Sequence, residues 1–421
     1  MLAENKIGDL NAEAVLRRLF DAALQAALPD GKFQDILPER PKGRTIVLGA
    51  GKASARMARA FEEAWDAPVE GLVITRYGHS VPTRHVTIVE AAHPVPDEAG
   101  LKATRDIVEL ANSAGPDDLV VVLISGGASS LLTMPAHGIS LADKQDITRQ
   151  LLRSGAPIGA MNAVRKALSA VKGGKLALAA APARLVTYVI SDVPGDDPAT
   201  VGSGPSIVAP NDIEEVRSIL RRFRIDIPDH AERALFANGL TDDKSTPSPV
   251  HMIATPRASL EAASREAEAM GIAPVILGDA IEGEAREVAT AMAGIVRSVV
   301  QYNTPFAPPC VLLSGGETTV TLRPEAAGRG GRNSEFLLAL YLALKSYGRV
   351  AAISCDTDGI DGTEDNAGAW FDFAADQVDA HDPAGHLDRN DAYSFFRKAG
   401  RLVITGPTYT NVNDFRAILI R

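Results

Sequence analysis

The stretch that decides the fold is Val120-Val121-Val122-Leu123-Ile124-Ser125-Gly126-Gly127-Ala128-Ser129-Ser130, and Val311-Leu312-Leu313-Ser314-Gly315-Gly316-Glu317-Thr318-Thr319 repeats its design. Each is an apolar run that ends in Ser-Gly-Gly. Such a run predicts a strand covered on both faces, as in a parallel sheet. Glycines at its end let a ligand approach the backbone, and ligands of open α/β sheets bind beyond the strand ends. Two such motifs predict two sheets, each with a binding edge.

Length and composition favour an α/β enzyme of two domains. A chain of 421 residues with 46% hydrophobic content exceeds what one core usually supports. The formal net charge of −10 disfavours nucleic acid and anionic membranes as partners. Two cysteines make no disulfide framework, the N-terminus lacks a signal-peptide pattern, and no apolar run approaches the ~20 residues of a spanning helix. We therefore expect a cytoplasmic protein.

Alternating strand and helix patterns predict parallel pairing through right-handed crossovers in the first half of the chain. Helices are predicted over 139–152 and 159–181, and an apolar helix that should be buried over 335–345. The polar, proline-bearing stretch 238–249 predicts a boundary between an N-terminal domain of residues 1–240 and a C-terminal domain of residues 250–421.

Lys52 follows a strand and two glycines, in Gly49-Ala50-Gly51-Lys52-Ala53-Ser54, where a helix begins. Free amides at a helix start favour an anion, and a lysine there opposes the helix dipole unless an anion is bound. The spacing is neither a P-loop nor a full GxGxxG, because Ser54 replaces the third glycine. Lys52 is therefore a candidate phosphate ligand, with a solvated first-turn lysine as the alternative.

Arg332 ends the basic loop Gly328-Arg329-Gly330-Gly331-Arg332, which leads into a helix capped by Asn333 or Ser334. Arginine suits bidentate recognition of phosphate or carboxylate. A plain surface loop is the alternative, although a solvent loop need not precede a fully apolar helix.

Carboxylates cluster after two predicted strands. Asp192 follows one, whereas Asp356, Asp358 and Asp361 follow another, and Glu317 belongs to the same group. Carboxylates there suit Mg²⁺ held with a nucleotide, or a base for a hydroxyl. Turn-capping aspartates are the alternative, and the spacing does not match an EF-hand.

Other polar segments carry weaker signals. The basic stretch with Asn162, Arg165, Lys166, Lys172 and Lys175 could face a ligand cleft or solvent. The polar loop 405–414, with Asn411, could bind a ligand or form a turn. The histidines lack zinc-like spacing.

Taken together, the motifs resemble the glycerate 2-kinase family, whose second half is called the MOFRL domain; some members carry the older label hydroxypyruvate reductase. The resemblance runs from about Ala14 to Ile420 and rests on motifs in one order: Gly49–Ala53, Ala92–Asp97, Ser125–Ser129, Ser191–Asp196, Ser314–Thr319, Gly330–Asn333 and Asp356–Gly362. It implies two three-layer α/β domains, a Rossmann-like parallel N-terminal sheet and a smaller, mixed-sheet C-terminal domain, with the active site in the cleft between them.

The resemblance also implies ATP-dependent phosphorylation of D-glycerate to 2-phosphoglycerate with Mg²⁺, and Lys52 and Arg332 as the cleft cations. For phosphoryl transfer we expect Asp192 to accept the hydroxyl proton and Asp356 and Asp358 to hold the metal. The expected substrate and phosphate ligands are Gly51, Ser125, Gly126, Gly127, Ser129, Ser314, Gly315, Gly316, Glu317, Asn333 and Asn411.

Two other functions stay open at this stage. A nicotinamide-dependent reductase of a 2-keto acid fits the Rossmann-like opening, but the third glycine is missing and Thr75-Arg76 stands where an acid should bind the ribose. The third hypothesis is a non-catalytic sensor of a sugar acid. The sequence leaves open which domain binds the nucleotide, and it leaves open the oligomeric state, a homodimer included.

Overall fold

A computed structural model describes residues 11–208, 212–237, 248–322, 328–375 and 382–421. The chain divides into two compact units. The N-terminal unit holds Pro29–Asp192 and Asp196–Ile253, and the C-terminal unit holds the described residues up to Leu28, Val193–Gly195 and Ala254–Arg421. Most of the predicted boundary stretch, residues 238–247, lies outside the described residues.

The N-terminal unit is built on a six-stranded sheet with the spatial order β3-β2-β1-β4-β5-β6. The strands are β1 (Thr45–Ala50), β2 (Glu70–Arg76), β3 (Thr87–Ala91), β4 (Leu119–Ser125), β5 (Arg184–Ile190) and β6 (Val250–Ala254). The pairings among β1 to β5 are parallel. This is the strand order of a dinucleotide-binding Rossmann sheet, so the predicted fold class is confirmed for this unit.

Helices connect these strands. The first helix, α1 (Ala12–Ala27), belongs to the C-terminal unit. The N-terminal unit contains α2 (Ser54–Ala64), α3 (Glu98–Asn112), α4 (Ala128–Leu131), α5 (Leu141–Arg153), α6 (Ile158–Ala167), α7 (Lys175–Ala180), α8 (Ile213–Arg222) and α9 (Asp229–Ala237). Short 3₁₀ turns in this unit are Gln34–Ile36 and Val201–Ser203, and a third, Pro194–Asp196, crosses the boundary between the units.

The helical stretch predicted over 159–181 is interrupted in the structure. Gly173 and Gly174 have φ values of +63° and +83°, which lie in the left-handed region. A β-carbon at Gly174 would also lie 2.3 Å from Cα of Val208. Helix α6 ends at Ala167, and these glycines keep the backbone out of a helix until α7 begins at Lys175. Lys172 lies between the two helices and is fully buried.

The C-terminal unit contains a mixed sheet with the order β13-β12-β11-β14-β9-β7. Its strands are β7 (Ala273–Gly278), β9 (Cys310–Gly316), β11 (Val350–Asp356), β12 (Gly368–Asp372), β13 (Leu402–Val403) and β14 (Asp414–Ile420), and β8 (Gly283–Glu284) pairs separately with β10 (Thr318–Thr319). Sequence reasoning did not predict β12 or β14. Strand β14 runs antiparallel between β9 and β11, so it is central to this sheet.

The helices of this unit cover both faces of the mixed sheet. They are α1, α10 (Pro256–Ala269), α11 (Ala285–Tyr302), α12 (Arg332–Leu344), α13 (Pro383–Asp388) and α14 (Ala392–Lys398). Leu16, Leu19 and Phe20 of α1 share one core cluster with Leu260 of α10 and Phe415 of β14. Helices α11, α12 and α14 fill a second cluster, which confirms that the apolar helix over 335–345 is buried.

The division of the chain differs from the predicted boundaries at two places. Helix α1 packs within the C-terminal unit because its apolar face covers β14 and α10. Strand β6 extends the N-terminal sheet beside β5, although residue 250 was predicted to open the second domain. Among the described residues, no helix is both long and apolar enough to cross a bilayer.

Candidate active site

Lys52 lies in a tight loop at the carboxyl end of β1, in the N-terminal unit. Its amide donates to the carbonyl of Gly126 (2.8 Å), and the amide of Ala53 donates to Oγ of Ser125 (3.0 Å). Gly51 has a φ of +137°, and a β-carbon there would lie 2.1 Å from Oγ of Ser125. The two predicted motifs of this unit are therefore joined directly at the ends of β1 and β4.

Gly127 follows β4 in the left-handed region, with a φ of +83°. A β-carbon at this position would lie 3.1 Å from Nε2 of His93 and 3.3 Å from Cγ of Lys52. The glycine backbone is thus enclosed between an imidazole and the stem of the candidate lysine, and any side chain would displace one of them.

The hydroxyl groups near this loop differ in their roles. The Ser125 side chain is fully buried and holds the Lys52 loop through Ala53, so it supports the loop from inside. Oγ of Ser129 lies 3.0 Å from Oγ of Ser203, and Ser129 lines a cavity together with Gly127. Of the predicted ligands in this unit, Gly127 and Ser129 thus border open space.

Asp192 lies two residues beyond β5 and is half-buried. It ends the first segment of the N-terminal unit, which resumes at Asp196 after Val193–Gly195. A half-buried carboxylate after a parallel strand can exchange a proton with a hydroxyl, so the position suits the general base that the sequence predicts.

Arg332, the first residue of α12 in the C-terminal unit, binds three carboxylates. Its Nε lies 2.7 Å from Asp414, Nη1 lies 2.7 Å from Glu317, and Nη2 lies 2.8 Å from Asp356. Burial lowers the pKa of the guanidinium, but Asp414, Asp356 and Glu317 outweigh it and raise the pKa well above its ordinary value. We call Arg332 with these three carboxylates the Arg332 cluster.

Asp414 is the member of the Arg332 cluster that sequence reasoning missed. It is the first residue of β14, and its side chain is fully buried. Its Oδ1 accepts from Arg332 and from Nδ2 of Asn333 (2.8 Å), and its Oδ2 accepts from Arg416 (2.5 Å). The predicted polar loop 405–414 ends on Asp414, but it was not predicted as a site residue because the central strand that starts there was not predicted.

The start of α12 is capped from a distant loop. The helix begins at Arg332 with Gly331 as its N-cap, so the predicted cap at Asn333 or Ser334 was wrong. The amides of Asn333 and Ser334 donate to the two oxygens of Asp361, at 2.9 and 2.8 Å. Burial raises the pKa of Asp361 against these hydrogen bonds. Asp361 therefore positions α12, and with it Arg332.

The predicted metal ligands are Asp356, a member of the Arg332 cluster, and Asp358, and both are buried. Oδ1 of Asp356 accepts from the amide of Asp358 (3.0 Å), while its Oδ2 accepts from Arg332. Within the described ranges, no three acidic, histidine or cysteine side chains are arranged as a metal site. Hard carboxylate oxygens nevertheless suit Mg²⁺, which takes one or two carboxylates and completes its shell with phosphates and water.

The second Ser-Gly-Gly motif is enclosed by protein. Oγ of Ser314 lies 4.0 Å from Sδ of Met292, inside the core. Gly315 and Gly316 are part of β9, and a β-carbon at Gly316 would lie 2.3 Å from the backbone of Ile281. The glycines are needed for this backbone approach, which differs from the expectation of a free loop that receives a ligand.

The remaining predicted ligands of this unit are mostly buried. Nδ2 of Asn333 bonds Asp414, and its Oδ1 accepts from Ser354 (2.6 Å), so this side chain joins α12 to the sheet. Asn411 is buried, and its Oδ1 accepts from the amide of Asn413 (3.3 Å). Glu317 is half exposed, so it is the member of the Arg332 cluster most open to solvent.

Comparison with known sequences shows similarity over nearly the whole chain. Residues 15–236 match the family described as "Domain of unknown function (DUF4147)", and residues 310–414 match the MOFRL family. A putative hydroxypyruvate reductase of Agrobacterium vitis is 51% identical over 98% of this chain and 95% of the relative. A D-glycerate 2-kinase of Thermotoga maritima is 37% identical over 93% of this chain and 94% of the relative.

Comparison with solved structures shows that the fold is shared. The crystal structure of glycerate kinase from Thermotoga maritima aligns with a TM-score of 0.87 at 36% identity. The alignment covers 97% of this chain and 99% of the other. At this identity the similarity extends from the fold to the ancestry of the two chains.

Proposed function

Because this chain belongs to the glycerate kinase family, which includes the Thermotoga maritima enzyme, we propose that it transfers the γ-phosphoryl group of ATP to the 2-hydroxyl of D-glycerate. The chain is a kinase that acts on an alcohol group. ATP, Mg²⁺, D-glycerate and the product 2-phosphoglycerate are the specific parts of the proposal. The older family label, hydroxypyruvate reductase, names a different reaction, a hydride transfer.

The observation that carries the proposal is the charge of the Arg332 cluster. Three carboxylates meet one guanidinium there, and Asp358 lies beside them. Arg416 also binds Asp414, so two guanidinium groups face four carboxylates, and a divalent cation is favoured electrostatically. Phosphoryl transfer needs such a metal to neutralise phosphate oxygens, whereas hydride transfer from a nicotinamide does not.

In the proposed reaction, the bond between O2 of glycerate and the γ-phosphorus forms while the bond between that phosphorus and the leaving oxygen of ADP breaks. Asp192 accepts the proton of the 2-hydroxyl. Lys52 neutralises oxygens of the transferring group, since a lysine acts on phosphate as a compact charge. Arg332 orients Asp356. Asp356 and Asp358 would hold Mg²⁺, which neutralises charge on the phosphates when it is bound.

The second candidate is the hydroxypyruvate reductase that the Agrobacterium vitis relative is named for. The Rossmann strand order favours it. However, Ser54 occupies the place of the third glycine and its hydroxyl bonds Gly51 (2.6 Å), while Thr75 at the end of β2 also bonds Gly51 (3.1 Å). The last two residues of β2, Thr75 and Arg76, include no acid to bind a ribose, so this strand end favours the kinase.

A coupled assay of ADP release with D- and L-glycerate tests the proposal, with phosphorus NMR to identify the phosphorylated oxygen. We expect turnover that requires Mg²⁺, prefers D-glycerate and yields the 2-phosphate. In parallel, NADH and NADPH are followed by absorbance with hydroxypyruvate. Cofactor oxidation without ADP formation would replace the kinase with the reductase, and a 3-phosphate product would overturn the proposed regiochemistry.

A further inference from the structure

A cavity of about 300 Å³ lies beside the Gly127 loop, entirely within the N-terminal unit. It is lined by Pro94, Val95 and Pro96 and by side chains of α5 and α6. Gln145 of α5 donates to the carbonyl of Pro96 (2.9 Å), which joins α5 to this proline segment. The volume falls in the range of small-molecule sites.

The cavity is lined by cations. Lys144 of α5, Arg165 of α6 and Lys172 border it, as does Arg149, which pairs with Asp146 (2.9 Å). The two lysines are buried, with exposures of 4% and 0%. Nζ of Lys144 donates to Oγ1 of Thr133 (2.9 Å), and Nζ of Lys172 donates to the carbonyl of Leu132 (2.8 Å). Both ammonium groups thus bond adjacent residues, and each retains further N–H donors.

Lys144, Arg165 and Lys172 have no acidic partner among the residues that the structure describes. The charges that act on Lys144 are Arg165 and Lys175, and those that act on Lys172 are Lys144 and Arg165. Burial, reinforced by these cations, lowers the pKa of Lys144 to about 8 and lowers that of Lys172 well below its ordinary value. Buried charges are costly unless they are paired, so the site is built for an anion.

The number of cations selects among the ligands of a kinase. Glycerate carries one carboxylate and would leave most of this charge uncompensated. The phosphate chain of a nucleotide carries several negative charges and many acceptor oxygens, so it can answer all three cations. The apolar Pro94–Pro96 side adjoins the cations, which is typical of nucleotide sites where an uncharged base extends from the phosphates.

We propose that the cavity lined by Lys144, Arg165 and Lys172 binds the polyphosphate chain of the nucleotide. This inference rests on the proposed function, since it assigns the nucleotide to the N-terminal unit. Gly127 borders both this cavity and the Lys52 stem, so the terminal phosphate would lie toward Lys52. Helices α5 and α6 share one apolar cluster with α8 and α9, which keeps the cations in place without a ligand.

Calorimetric titration of the full chain with ADP, tripolyphosphate, adenosine and glycerate, without turnover, tests the inference. We expect ADP and tripolyphosphate to bind and adenosine to bind far more weakly. Lys144→Met and Lys172→Met should each weaken ADP and tripolyphosphate binding about 10-fold or more, the effect of losing a charged hydrogen bond. In steady state, KM for ATP should rise while KM for glycerate changes less than twofold.

The matched control is Lys102→Met, which removes an exposed lysine from α3 and should leave all affinities unchanged. If Lys172→Met does not fold, Lys144→Met and Lys172→Arg replace it, with Lys172→Arg expected to retain ADP binding. If Lys144→Met binds ADP with an affinity within twofold of the parent's, the inference is overturned. It is also overturned if the variant loses affinity for glycerate instead of for ADP.

The two proposals fail in distinguishable ways. If ADP binds in the cavity but no glycerate is phosphorylated, the proposed function fails and the anion site stands. Both lysine variants could instead phosphorylate glycerate at the parent's rate and with the parent's KM for ATP. In that case the nucleotide binds elsewhere and the kinase assignment stands.

Discussion

Oδ1 of Asp414 lies 2.7 Å from Nε of Arg332, and the two residues are 82 positions apart in the sequence. The second oxygen of the same carboxylate accepts from Arg416, which is fully buried under the ring of Phe336. Asp414 is therefore the shared anion of two guanidinium groups, and it connects Arg332 to the central strand of the C-terminal sheet.

Replacing this shared anion should destabilise the protein. In Asp414→Asn the buried Arg416 loses its carboxylate partner, so we expect the free energy of unfolding to fall by about 3–5 kcal/mol. Urea unfolding followed by circular dichroism measures this. Glu317→Gln is the comparison variant. The ion pair between Arg332 and Glu317 is partly exposed, so its loss should lower the free energy of unfolding by about 1 kcal/mol or less. Equal losses in the two variants would contradict the shared-anion role.

Lys52→Met should lower kcat strongly with little change in stability. The loop geometry depends on the Lys52 amide and on Ser125, neither of which the substitution alters. Loss of one charge that stabilises the transferring phosphate should cost about 100-fold or more in kcat. Steady-state kinetics against Lys102→Met, with thermal unfolding of both, measures this. Retention of more than half the activity would remove Lys52 from the mechanism.

Arg332→Ala should lower both turnover and stability. From sequence, we expect a loss of turnover with the fold intact, but the contacts of this guanidinium alter the second part. Asp356 would lose a buried hydrogen-bond donor, and Asp414 would keep Arg416 and Asn333. Arg332→Lys retains the charge without the forked geometry, so its stability should lie between those of the parent and Arg332→Ala. An active, fully stable Arg332→Ala would contradict this role.

Gly331→Ala should destabilise the start of α12. A β-carbon there would lie 2.3 Å from Oδ1 of Asp361, the carboxylate that caps the helix. The displacement of a buried capping group should cost about 1–3 kcal/mol, measured by chemical denaturation. Gly348→Ala is the matched control, since a β-carbon there has no atom within 4 Å. Similar stabilities of the two variants would contradict this prediction, because the loop with Asp361 would then move aside with no loss of folding free energy.

ADP binding should be coupled to proton uptake above pH 8. The pKa of Lys144 is lowered to about 8, so this ammonium is partly deprotonated in the free protein at pH 8.5. A bound polyanion raises that pKa, and the site then takes up a proton; ADP itself is already deprotonated at this pH. Calorimetry in two buffers of different ionisation enthalpy measures the uptake. The ionisable groups that face Lys144 or line its cavity are Arg165, Lys172, Lys175, His93 and Arg149.

Lys144→Arg should reduce this proton uptake, because arginine stays charged at pH 8.5. In the free protein, deprotonation of Lys144 favours the folded state. A lysine pKa that is lower in the folded state makes the unfolded chain bind more protons, so stability from this group rises with pH from about 8 toward the unfolded value. Uptake that is the same in parent and Lys144→Arg would assign it to another group.

Much of the fold could be predicted because its signals are local. The apolar runs that become β1, β4, β9 and β11 are continuous in the sequence, and the structure buries each of them completely. The glycines around Lys52 were equally visible. By contrast, β14 was missed because its polar start at Asp414 reads as the end of a loop, and only pairing with two distant strands identifies it.

The sequence by itself determined the α/β class, two sheets, the helices along the first half, and the residue types that a phosphate-transferring site needs. These follow from periodicity and composition over short windows. The tertiary structure alone decided that α1 covers the C-terminal sheet, that Asp414 neutralises Arg332, and that Lys144 joins Lys172 in one cavity. The physical reason is that burial and charge pairing depend on segments far apart in the chain: a lysine on a helix has the same local pattern whether it faces water or the interior.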